Sequence, residues 1–213
     1  MSWIDYIAEH AGDLLALMWE HLHIVGVSLL AALIIGIAVG IFISRHDRLA
    51  SPVLSIAGAI MTIPSLAMFA FMIPLLGIGL KPAWTALTLY ALLPIVRNTY
   101  VAVRNVNPAM LEAGRGMGMT DLQILARVRI PLALPVIMAG IRTSVVLIIG
   151  IAAIAAYIGA GGLGTYIFQG IGQSYDNPII AGAVAVSVLA IASDIILGRL
   201  ESRLVPKGLK VEE

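Results

Sequence analysis

The chain has 213 residues, enough for one domain or two small ones. Apolar residues make up 60% and charged residues 12%, with a mean hydropathy of +1.01; a soluble domain has about 45–50% and about 25%, so a soluble globule is excluded and an integral membrane protein is indicated. With no cysteine and a net charge of +1, thiolate metal sites, a disulfide scaffold and nucleic-acid binding are excluded as well.

Residues 1–21 read as a short amphipathic helix on the outer interface. Ser2 and Asp5 have capping-box spacing, and Trp3, Ile7, Leu14 and Met18 fall near one helical face. It is not a signal peptide: it has no basic start, and Asp5, Glu9, Asp13 and Glu20 interrupt it. Residues 22–204 read as the transmembrane domain. Crossing about 30 Å of hydrocarbon takes about 20 apolar residues. Five segments qualify: Ile24 to Ile43; Pro52 to Leu76, broken by Pro64 and Pro74; Pro82 to about Val103; Leu132 to Tyr157, carrying Arg142; and Ile179 to Gly198, carrying Asp194. None alternates apolar and polar residues like a barrel strand. The expected fold is an all-α integral membrane bundle of five helices.

Five spans put the termini on opposite sides. Lys81 alone of the 13 basic residues falls on the N-terminal side; the other 12 lie on or near the opposite side. By the positive-inside rule the N-terminus is outside and the C-terminus cytoplasmic, with residues 205–213 a cytoplasmic tail. Trp19, Trp84, Tyr157 and Tyr166 fit an outer aromatic belt. Gly36 and Gly40 give the first span a face for close packing; Ala183, Ser187 and Ala190 could do so for the fifth. Arg142 and Asp194 are the charges inside spans, and either pair with each other or snorkel separately.

Several chemistries lack their residues. The three lysines follow Leu80, Pro206 and Leu209, so no P-loop is present. Gly159, Gly161 and Gly164 match G-x-G-x-x-G but follow a membrane span, where a tight loop with close backbone approach is the better reading. His10, His21, His23 and His46 read as interfacial, with no metal-ligand spacing. No catalytic set stands out.

The longest polar stretch, residues 104–131, joins the third and fourth spans on the basic side. Asn107-Pro108 is an N-cap followed by proline at the first helical position, and Gly114 can end that helix. Thr120 and Gln123 have capping-box spacing, with Asp121 in the first turn. Leu122, Leu125 and the stem of Arg127 can share a face, and Pro131 then stops the helix. The stretch reads either as a loop anchored on headgroups or as one gripped by a partner.

Glu112-Ala113-Gly114, three residues, Gly118, nine residues, then Val128-Arg129-Ile130-Pro131 resembles the EAA loop of membrane subunits of ATP-binding-cassette importers. It departs from that pattern at Gly114, Val128 and Ile130. Thr62 to Leu66, Ile73 to Gly79, Leu93 to Tyr100 and Ile158 to Gly164 resemble the importers for glycine betaine, carnitine and choline. The resemblance implies a type I permease fold and a subunit of an ATP-driven importer in the cytoplasmic (inner) membrane of a prokaryote. It implies a coupling role for Glu112, Ala113, Gly114, Gly118, Thr120, Asp121, Gln123 and Arg127. Pro64, Ser65, Met68, Asn98, Thr143 and Ser144 are the candidate pathway residues. The implied partners are two ATPase subunits carrying ATP and magnesium, a second membrane subunit (identical or paralogous), an extracytoplasmic binding protein and the bilayer. No cofactor is expected in this chain. A methionine-type or other amino-acid importer is the nearest competing reading, and an ion-coupled secondary carrier is the one from another class.

Overall fold

The computed structural model describes residues 2–204. The expected tail over 205–213 lies outside the described residues. Among the described residues all regular structure is helical.

Helix α1 (Trp3–Glu9) starts at the expected capping box. The Asp5 carboxylate accepts from the Ser2 hydroxyl at 2.8 Å and from its N–H at 3.1 Å. Those donors hold the Asp5 carboxyl below the usual carboxylate range. The helix expected over 1–21 is two elements. It breaks at His10, and α2 runs unbroken from Ala11 to Ser44. Tyr6 anchors α1: it stacks on His10 at 4.1 Å and meets Tyr166 and Tyr175 edge-on. Tyr166 is therefore buried in this cluster, not part of an outer belt. Ile7, Leu14 and Met18 line a groove with Ala181 and Val188, while Trp3 stays exposed.

The single span expected over Pro52 to Leu76 is two helices, α3 (Asp47–Thr62) and α4 (Ser65–Leu76), bent by 100°. A residue before proline is pushed out of the helical region, and Ile63 is extended with ψ of 128°. The Ile63 carbonyl freed at this break accepts from the Tyr90 hydroxyl at 2.5 Å. Pro74, by contrast, does not interrupt α4.

Helix α5 (Leu80–Arg104) packs along α2 and against the later helix α8 (Ile130–Ala155). Gly36 and Gly40 make the α2 contact possible. A Cβ on Gly36 would lie 2.7 Å from Ile95, and one on Gly40 would lie 2.6 Å from Thr99. Ile24, Phe69, Leu87, Ile95, Ile148 and Ile149 fill the core among α2, α4, α5 and α8. Lipid competes with such contacts better than water does, so close packing and interhelical hydrogen bonds hold the bundle.

A short turn over 156–158 and the glycine-rich loop lead to α9 (Gly164–Gln173) and α10 (Asp176–Leu204). Gly159, Gly161 and Gly162 all have positive φ, and the Gly162 N–H donates to Glu20 at 3.0 Å. A Cβ on Gly164 would overlap the Ala153 carbonyl. The close backbone approach expected of these glycines is what the loop does. His21 corrects its interfacial reading: it is fully buried, with Nε2 3.1 Å from the Ile149 carbonyl. It tethers α2 to α8 beneath the loop. Ala183 and Ser187 do not pack within the subunit; α10 buries Ala181, Gly182 and Leu189 instead.

Candidate functional site

The residues between α5 and α8 form a compact element. Asn107 caps α6 (Pro108–Gly116), accepting from the Ala109 N–H at 3.0 Å, with Pro108 in the first turn. Gly114 does not end this helix. The chain leaves it at Gly118, whose φ of 77° suits glycine. Gly114 is instead a contact point, because a Cβ there would lie 3.3 Å from Met119 Sδ and 3.4 Å from Ile124. Glu112 and Ala113 point to solvent.

Helix α7 (Asp121–Ile124) opens on the expected box. The Thr120 N–H donates to Gln123 Oε1 at 2.9 Å, and the Gln123 N–H donates to Thr120 Oγ1 at 3.3 Å. Pro131 was expected to stop this helix and does not. Residues Asp121–Ile158 form one 38-residue helical path. One turn of π-helix, Leu125–Arg129, joins α7 to α8, and the Ile130 N–H donates to the Leu125 carbonyl. Proline lacks an N–H, and its ring crowds the carbonyl four residues back. The wider turn absorbs that conflict without ending the helix.

The expected shared face of Leu122 and Leu125 also separates here. Leu125 packs towards Ala102, Val103 and Ile137, whereas Leu122 is exposed, as are Met110, Met117, Gln123 and Arg127. The Arg104 guanidinium, missed in the sequence, forms an ion pair with Asp47 and ties the end of α5 to the start of α3.

Arg142 and Asp194 are brought together. Nε and Nη2 of Arg142 donate to the two Asp194 oxygens at 3.0 and 3.1 Å, and Nη1 donates to Glu201 at 2.9 Å. Asp194, Gly198 and Glu201 recur at helical spacing on α10, so the guanidinium lies over Gly198 between two acids. Glu201 was not singled out in the sequence, although this spacing carried the signal.

The pathway candidates divide. Thr143 is exposed and lines a groove of about 630 Å³ with Arg142, Val146, Leu147 and Asp194. Pro64 is exposed and Ser65 half-buried at the α3–α4 bend. Ser144 is fully buried, donating to the Ala91 carbonyl at 2.9 Å, and so serves helix packing. Met68 is also buried, and Asn98 packs against Gly140 while donating to the Pro94 carbonyl at 2.8 Å.

Residues 32–206 match the model of the binding-protein-dependent transport system inner membrane component family. The chain belongs to that family. It is a multi-pass membrane protein and a transport component rather than an enzyme, and membership implies a binding protein and an ATPase as partners. It is 50% identical to the osmoprotectant import permease protein OsmW of Salmonella typhimurium, covering 99% of this chain and 100% of that one. It is 46% identical to the carnitine transport permease protein OpuCB of Listeria monocytogenes, covering 97% and 95%. It is 44% identical to the glycine betaine/carnitine/choline transport system permease protein OpuCB of Bacillus subtilis, covering 97% and 95%. Among solved structures it resembles a chain of the inward-facing MetNI methionine ABC transporter, with 26% identity and a TM-score of 0.82 over 91% of this chain and 96% of that one.

Proposed function

We propose that this family member is the permease subunit of an ATP-driven importer for glycine betaine, carnitine, choline and related osmoprotectants in a prokaryotic inner membrane. The observation that carries it is the unbroken helical path from the capped α7 through the π turn into α8. A partner that moves α6 and α7 moves α8 with them. The Arg142 pair passes that displacement to α10.

In this reading two copies, or this chain and a paralogue, enclose the pathway. Two ATPase subunits seat on residues 104–131, and ATP with magnesium on those partners supplies the energy. The outer binding protein delivers substrate. The bent α3–α4 pair is the fifth crossing, the N-terminus is outside, and the basic side with its C-terminal tail is cytoplasmic, as the charge asymmetry supports. Residues 22–204 make up the permease domain. Nucleotide biases a two-state switch between inward and outward openings. Thr143 and Pro64, which are exposed, and Ser65, which is half-buried, are the pathway candidates; Met68, Asn98 and Ser144 support the helices that carry them.

Identity to named osmoprotectant and carnitine permeases is 44–50% over nearly the whole chain, against 26% for the methionine transporter chain. That contrast favours a quaternary-amine cargo over methionine. The test is uptake by the reconstituted importer with its own binding protein. Competition of labelled glycine betaine by choline or carnitine, and not by methionine, supports the proposal. Uptake of methionine alone counts against it.

A further inference from the structure

We propose that the cleft between the end of α2 and the loop helices holds the phosphate of an anionic phospholipid headgroup. This cleft of about 290 Å³ is lined by Ser44, Arg45, Arg115, Asp121, Ile124 and Arg129. Its three arginines come from three separate segments: the end of α2, the last turn of α6 and the π turn.

Among the described residues none of these three guanidiniums has a carboxylate within ion-pair distance, whereas Arg104 and Arg142 both do. Asp121 shares the cleft and leaves a lining of three positive groups to one negative. Three like charges lining one cleft against a single carboxylate repel. A bound anion turns the same arrangement into a bridge between α2, α6 and the start of α8. Guanidinium forks from several directions suit the oxygens of a phosphate better than the two oxygens of a single carboxylate.

The position supplies the source. Arg45 ends one long apolar helix and Arg129 immediately precedes another. The cleft therefore opens where two such helices reach the headgroup layer, where basic residues meet anionic lipid. The exposed apolar side chains of this loop, Met117 and Leu122, are not part of its lining, although Asp121 of the coupling set is. This inference rests on the proposed placement of residues 104–131 at the inner face of the membrane.

The test uses the complete importer in nanodiscs of phosphatidylcholine, with or without phosphatidylglycerol, released and weighed by native mass spectrometry. The wild type is expected to retain phosphatidylglycerol in preference to phosphatidylcholine. Replacing Arg45→Gln, Arg115→Gln and Arg129→Gln together is expected to cut that retention about a hundredfold. The corresponding three lysine substitutions should keep most of it, because an ammonium still binds phosphate as a point charge; this control separates charge from folding. Equal retention by the glutamine variant overturns the proposal. Displacement of the lipid by millimolar inorganic phosphate overturns the lipid source in favour of a free anion. Loss of the ATPase from the glutamine variant in phosphatidylcholine alone overturns it in favour of a protein contact. Failure of the proposed function looks different: no ATPase then accompanies even the wild type, while lipid retention can still be read.

Discussion

Arg142 on α8 and Asp194 on α10 meet through two parallel hydrogen bonds of 3.0 and 3.1 Å, and Glu201 takes the third guanidinium contact. One cation thus joins two carboxylates two turns apart on the same face of α10. Removing the cation differs from removing one acid. Arg142→Gln leaves Asp194 and Glu201 facing each other unpaired, whereas Asp194→Asn leaves the Arg142–Glu201 pair. Both side chains of the main pair are partly exposed, at 33% and 42%, so solvent screens the pair and the expected loss for Arg142→Gln is modest. Thermal unfolding in detergent should rank Arg142→Gln below Asp194→Asn, and the reverse order would count against the shared cation.

Gly198 is the space that the guanidinium occupies. A Cβ there would lie 3.3 Å from Arg142 Cζ. Gly198→Val should displace the side chain and weaken the bridge. Combined with Arg142→Gln it should add little, since both changes break one contact. A double-mutant cycle on transport rate measures this. Fully additive effects would show that Gly198 acts elsewhere.

The π turn makes a prediction about coupling. Pro131→Ala restores an N–H and removes the ring conflict, so the turn can rewind to regular α-helix. That rotates α7 relative to α8 without touching the exposed face of α6. ATPase binding should persist while ATP hydrolysis and uptake lose their fixed ratio. Unchanged stoichiometry of ATP per substrate would remove the π turn from the coupling path.

Two loop glycines should behave oppositely. Gly118 has a positive φ and open space around its missing Cβ, so Gly118→Ala carries backbone strain of about 1–2 kcal/mol. Gly114 lies inside a helix, and a methyl there meets mainly the flexible Met119 side chain and Ile124. Gly114→Ala should be neutral within about 0.5 kcal/mol, because better helix propensity offsets the tighter contact. Co-purification of the ATPase should fall for Gly118→Ala and not for Gly114→Ala.

Local chemistry made much of this molecule legible. The boxes at Ser2–Asp5 and Thr120–Gln123, the Asn107 cap, the Gly36–Gly40 face and the glycine loop each follow from residues within a few positions of one another. The misreadings arose where a distant partner or a neighbouring turn decided the outcome. His21 looked interfacial because nothing nearby reveals that the Ile149 carbonyl is its neighbour. Pro131 looked like a stop because a π turn is invisible to 3.6-residue periodicity. The α3–α4 bend was signalled by Pro64, but its size depends on α5 supplying Tyr90. Ser144 was ambiguous between lining and packing until the Ala91 carbonyl appeared opposite it. Glu201 was legible and overlooked: it follows Asp194 and Gly198 on the same helical face.

If residues 104–131 are the seat of an ATPase, this chain moves its substrate only when that partner hydrolyses ATP. The direct measurement is uptake of labelled glycine betaine into liposomes carrying the permease with or without its ATPase, binding protein present, ATP on the ATPase side, and sodium and proton gradients imposed in turn. Uptake that requires both ATPase and ATP, and ignores the gradients, is the expected result. Gradient-driven uptake by the permease alone would contradict the account.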